Sequence, residues 1–164
     1  MDEFDTHTTQ TPCKQTAYIH AVKLLAKKDY SEYKLRTKLR DKGFSAEEID
    51  ETINELLEKK YLREDYYAEA RIKGLMNKGY SPSYIQSRLK EEFVEVSLDT
   101  IYSIFNEYEL SEQDQIKKLV RKKLNGSAIE APIDFNLKVK ILRFLASKGH
   151  SVENVDQYLP NDFN

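Results

Sequence analysis

The sequence predicts an all-α protein of three tandem three-helix, helix-turn-helix-like repeats forming an elongated, curved array. Three observations lead there. A motif returns after about fifty residues, since Lys28-Asp29-Tyr30-Ser31 precedes one amphipathic stretch and Lys78-Gly79-Tyr80-Ser81 precedes another. Apolar residues recur at spacings of three and four, as in Ile49, Ile53, Leu56 and Leu57, or Ile116, Leu119, Val120 and Leu124, which is the period of a helix with one buried face. Serine and glycine punctuate the junctions, and no strand-like alternation of comparable length occurs. Repeats of this length are characteristic of one supersecondary unit stacked several times.

Taken in order, residues 1–16 are polar, with Thr8-Thr9-Gln10-Thr11-Pro12, and lack a periodic apolar face; they are expected to be a disordered lead-in. The first repeat is expected over 17–62, with helices at 17–28, 31–42 and 45–59. The second is expected over 63–111, with helices at 65–78, 81–92 and 97–109. Tyr18, Val22 and Leu25 then match Ala68, Ile72 and Leu75, while Leu35 and Leu39 match Ile85 and Leu89. After a two-residue slip, Ile49, Ile53 and Leu56 match Ile101, Phe105 and Tyr108. The third and most divergent repeat is expected over 112–164, with helices at 112–124, 134–148 and 151–159. Its signature is Lys148-Gly149-His150-Ser151, which repeats Lys42-Gly43-Phe44-Ser45, and its irregularity is the break from Gly126 to Pro132.

The corners carry their own chemistry. Ser45 followed by Glu48 has capping-box spacing, and Ser81-Pro82 places a good N-cap before a residue whose missing N–H costs nothing at the first helical position. Gly43, Gly79 and Gly149 each lie two residues before such a serine, where a left-handed residue closes the preceding helix.

Composition narrows the function. One third of the residues are charged, yet the net charge is −2, so the chain is not a globally basic nucleic-acid binder. Residues 1–16 carry −2, 17–62 carry +1, 63–112 carry −4 and 113–164 carry +3. No run of about eighteen apolar residues exists and the N-terminus is acidic, so a soluble, cytoplasmic protein is expected. The single Cys13 has no partner for an internal disulfide.

Catalysis finds no assembled site. His7, His20 and His150 lack a second ligand at helical spacing, so no metal is expected. No phosphate-cradling loop, nucleophile elbow or Cys/His pairing is present, and neither a catalytic residue nor a cofactor is assigned. Glu64-Asp65 and Glu91-Glu92 read as solvated or helix-terminal charge. The basic residues say more. Lys34 and Lys38 flank one side of the Leu35/Leu39 stripe and Arg36 and Arg40 the other, and Lys117, Lys118, Arg121 and Lys122, with Lys123, form a second run. The plain reading is a solvated amphipathic helix; the sharper one makes these the candidate contacts for DNA phosphate or an acidic protein surface, with both runs facing one groove if the array curves. Among the tyrosines, Tyr18 and Tyr108 take core-matching positions, whereas Tyr61, Tyr66 and Tyr67 cluster at the unit junction, read first as inter-repeat packing and, as the alternative, as candidates for partner contact or base stacking.

At that junction, Tyr61-Leu62-Arg63-Glu64-Asp65-Tyr66-Tyr67-Ala68, followed by Lys78-Gly79-Tyr80-Ser81-Pro82 with Ile85 and Leu89, resembles the RecX family of recombination regulators. Lys42-Gly43-Phe44-Ser45 with Ile49 and the Leu56/Leu57 pair looks like the same family's first-to-second repeat region. The resemblance covers about residues 17–159 and is strongest over 30–90. It implies a protein of tandem three-helix repeats acting in DNA repair and the SOS response; for this chain a monomer without enzymatic activity is expected. Such a protein would bind the RecA recombinase filament on DNA and inhibit its ATPase and strand-exchange activities, with weak non-specific DNA contact. The third repeat and the acidic second unit depart from the pattern. The alternative is an autonomous, sequence-independent DNA-binding helical protein. It is opposed by the near-neutral total charge and by unlike residues at equivalent positions: Arg36 and Arg40 align with Gln86 and Lys90, then with Leu142 and Ala146.

Overall fold

The computed structural model describes residues 16–124 and 134–151, with Glu153 and Tyr158. They form eight helices and no strand: α1 Ala17–Leu25, α2 Glu32–Asp41, α3 Ala46–Glu58, α4 Glu64–Asn77, α5 Pro82–Glu91, α6 Leu98–Glu107, α7 Glu112–Lys123 and α8 Phe135–Ser147. The lead-in up to residue 15, the Gly126 to Pro132 break and most of the expected ninth helix lie outside the described residues.

Six of the eight helix starts follow one device. Thr16, Ser31, Ser45, Ser81, Ser97 and Ser111 each accept, through the side-chain oxygen, the backbone N–H three residues on. Ser45 with Glu48, and Ser111 with Asp114, complete capping boxes. Six helix ends follow a second device, the Schellman closure. After α2, α4 and α8 the left-handed position is a glycine, and the next residue, Phe44, Tyr80 or His150, donates its N–H to the carbonyl of Leu39, Leu75 or Leu145. After α3, α5 and α6 the same closure runs through Lys60, Phe93 and Glu109, at φ of 56°, 58° and 48°. Side-chain-bearing residues there accept a conformation that glycine takes without strain.

The chain divides into two compact units, Met1–Arg63 and Glu64–Asn164. In the first, α1, α2 and α3 pack pairwise around Leu35, Leu39, Ile53 and Leu56. In the second, α4, α5 and α6 enclose Ile72, Ile85, Leu89, Ile101 and Phe105, while α7 and α8 close over Ile116, Val120, Ile141 and Leu145. Within this unit two equivalent corners meet. Ser81 N–H donates to the Lys148 carbonyl (3.0 Å) and Ser81 Oγ–H to the Gly149 carbonyl (2.8 Å). The buried His150 ring places Nε2 2.9 Å from the Gly79 carbonyl and Nδ1 3.0 Å from Glu112 Oε1. Gln115 Nε2–H completes the seam by donating to the Met76 carbonyl at 2.8 Å.

Some sequence expectations are corrected. Tyr108 is exposed rather than core, because it follows the last residue of α6 where the chain turns through Glu109; the Lys73 ammonium lies 5.2 Å from its ring centre. Leu57 is exposed because the buried seam of α3 runs through Ile49, Ile53 and Leu56. Of the tyrosine cluster, Tyr67 is buried and Tyr61 and Tyr66 are exposed. Glu92 is not solvated: it is 6% exposed and its carboxylate accepts from Tyr67 Oη–H (2.7 Å) and from Arg71 Nη2–H (2.7 Å).

Candidate functional site

The α2 stripe points Leu35 and Leu39 inward because they stand one turn apart, and this presents the flanking cations outward. Lys34 is half-buried, while Lys38 and Arg40 are exposed. Arg36 behaves differently. Its Nε–H donates to Glu32 Oε1 at 2.7 Å, and its Nη1 pairs with Asp50 of α3. Burial works against its charge, but these two carboxylates raise its pKa above the usual guanidinium value. Arg36 therefore ties α2 to α3 as well as belonging to the basic flank. Sequence reading missed this because Asp50 is fourteen residues away, beyond any helical spacing. Glutamate at position 36 would face both carboxylates, so a charge reversal that spares the fold should leave Arg36 in place.

On α7 the inward residues are Ile116, Leu119 and Val120, and Lys117, Lys118, Arg121 and Lys122 are exposed. The last turn carries Arg121, Lys122 and Lys123, where a helix terminus favours cations. Lys118 and Lys122 line a cleft of 340 Å³ together with Lys78 and Lys148. Lys117 and Arg121 lie outside that lining. The Lys148 ammonium stands 3.9 Å from the Tyr80 ring centre, and Tyr80 stacks on Tyr84. Met76, Leu110 and Leu119 supply apolar wall, and behind it the buried Gln115 Oε1 has no hydrogen-bond partner among the described residues. Four lysines lining one concavity suit an oxyanion chain such as phosphate or carboxylate. Lys78 and Lys148 were not singled out from sequence. Their signal was there, since each opens a copy of the Lys-Gly-aromatic-Ser corner or its His150 variant, and the two copies pack together.

No group of three or more His, Cys, Asp or Glu side chains suited to a metal occurs among the described residues. The buried Glu92 is committed to Tyr67 and Arg71, and its bonds hold the Arg71 pKa above the ordinary guanidinium value. This is an anchor between α4 and the end of α5. None of the described helices is long and apolar enough to cross a membrane.

With this geometry established, comparison with known proteins is informative. Residues 17–56 match the family profile described as RecX, first three-helix domain. Regulatory protein RecX of Haemophilus influenzae (strain PittEE) is 31% identical over 134 residues, covering 81% of this chain and 86% of the relative. The chain belongs to the RecX family of regulatory proteins. Regulatory protein RecX of Vibrio vulnificus (strain CMCP6) is 29% identical over 150 residues, covering 92% of each chain. Among solved structures, RecX from Lactobacillus salivarius matches with a TM-score of 0.64 at 22% identity, covering 87% of this chain and 94% of that one. That likeness shows the RecX fold, and the family is one of generally non-catalytic regulators.

Proposed function

We propose that this RecX protein binds the RecA recombinase filament on DNA and lowers its ATPase and strand-exchange activities without hydrolysing nucleotide itself. Lys118, Lys122, Lys78 and Lys148 around the α7 cleft meet phosphate or acidic side chains, with Lys117 and Arg121 beside them and Lys34, Arg36, Lys38 and Arg40 forming a second basic flank on α2. In this reading the residues fall into repeats at 17–62, 63–111 and 112–164, and the protein works as a cytoplasmic monomer. The observation that carries the proposal is the four-lysine cleft in a chain of this family. No nucleotide loop competes with it in the sequence.

The test is sedimentation with preformed recombinase filaments on single-stranded DNA, beside DNA alone and free recombinase, with ATP hydrolysis read in parallel. Enrichment on filaments and a dose-dependent fall in hydrolysis are expected. Unchanged ATPase and strand exchange up to equimolar recombinase would sink the reading. The exposed cations of α2, Lys38 and Arg40, favour a second reading, autonomous sequence-independent DNA binding. Equal binding to naked DNA and to filaments would select it.

A further inference from the structure

The acidic side of the second unit is more than a solvated face. A groove of 660 Å³ runs between α4 and α6, bordered by the segment 94–97. Its floor is apolar, formed by the edges of Ala68, Ile72, Val94 and Ile104, which belong to the core. Its rim carries Glu64, Asp65, Glu69, Glu95 and Glu107, and no lysine, arginine or histidine lines it.

Part of that rim has a local explanation. Glu64 and Asp65 occupy the first turn of α4, where the helix dipole favours carboxylates, and Glu69 pairs with Lys73 on the same helix. Glu95 and Glu107 have no such role. Glu95 stands in the non-helical link before α6, and Glu107 is the last residue of α6, where the dipole disfavours a carboxylate. A solvated face also needs neither a concavity nor an apolar floor. The groove's size is that of a site for a short side-chain-bearing segment. Its charge repels phosphate, so DNA is the wrong occupant.

We propose that this groove docks a protein segment of the recombinase filament in which lysine or arginine side chains flank an aliphatic anchor. The anchor seats on the half-buried Val96 and the edge of Ile104, and the cations reach Glu95 and Glu107 across the floor. This rests on the filament reading above and assigns its protein-facing side. The α7 cleft takes the anionic partner and the α4–α6 groove takes the cationic one.

The experiment compares the full chain with E95K/E107K in co-sedimentation with recombinase filaments on single-stranded DNA and in binding to the same DNA alone. An E51K/E58K variant on α3 is the control, with the same change in net charge at exposed positions that do not line the groove. Circular dichroism checks that all three share one helical content. E95K/E107K is expected to lose about tenfold or more in filament affinity while binding naked DNA at least as well as wild type, because like charges then meet across the groove. The control is expected to keep its filament affinity. Filament binding by E95K/E107K equal to that of wild type or of the control would overturn the groove assignment alone. Absence of wild-type filament binding would remove the filament reading and this inference with it.

Discussion

Backbone conformation makes single residues unequal at sites that look alike in sequence. Gly43, Gly79 and Gly149 each close a helix in the left-handed conformation, yet a Cβ at Gly43 would meet nothing within 4 Å, whereas a Cβ at Gly149 would lie 2.5 Å from Tyr84 Cβ and 2.7 Å from Ser81 Oγ. Neither neighbour is the free end of a flexible chain. Gly43→Ala should therefore cost only left-handed strain, about 1 kcal/mol, while Gly149→Ala adds overpacking against α5 and should cost about 3 kcal/mol. Urea unfolding of both variants checks the order. The converse substitution should help. Glu109, at φ 48°, closes α6 in a glycine conformation, so Glu109→Gly should raise stability by about 1 kcal/mol, read as a higher urea midpoint at unchanged slope.

Between elements, the decisive contacts join residues far apart in sequence. Glu92 has its hydrogen-bonding partners on α4, twenty-one and twenty-five residues back. Glu92→Ala should cost about 3 kcal/mol by stranding Tyr67 and Arg71, and Glu91→Ala next to it, on an exposed side chain, should cost little; thermal unfolding distinguishes them. This contrast also explains what was legible in the sequence. The helices, the serine caps and the inward leucines and isoleucines were readable because each depends on spacings of three or four residues. The exposed lysines of α7 were readable for the same reason. Arg36 with Asp50, Tyr67 with Glu92, and Lys78 beside Lys148 were not, because tertiary packing pairs them across sequence separations that no local pattern encodes. Tyr108 misled because its match to Leu56 extrapolated a helical face one residue past the point where α6 ends.

For the whole molecule, a net charge of −2 conceals segregation, since 63–112 carry −4 and 113–164 carry +3. Nucleic-acid affinity should thus come from a few cations and depend steeply on salt. Lys118→Glu with Lys122→Glu should weaken DNA binding and flatten the logarithmic salt slope by about 2, as two phosphate contacts are lost. A fluorescence anisotropy titration at several salt concentrations measures both. The meeting of the two corners in the second unit has a further kinetic consequence. Ser81 uses one hydroxyl to cap α5, accepting from Tyr84, and to hold the Gly149 carbonyl, while its amide is spoken for by Lys148 across the seam. Its amide proton can exchange with solvent only when α8 lifts away, even if α5 stays wound. In deuterium exchange, Ser81 should follow the protection of α8 and not that of Ile85, whose N–H bond to the Ser81 carbonyl is local to α5; the chain would thereby open in a step smaller than global unfolding.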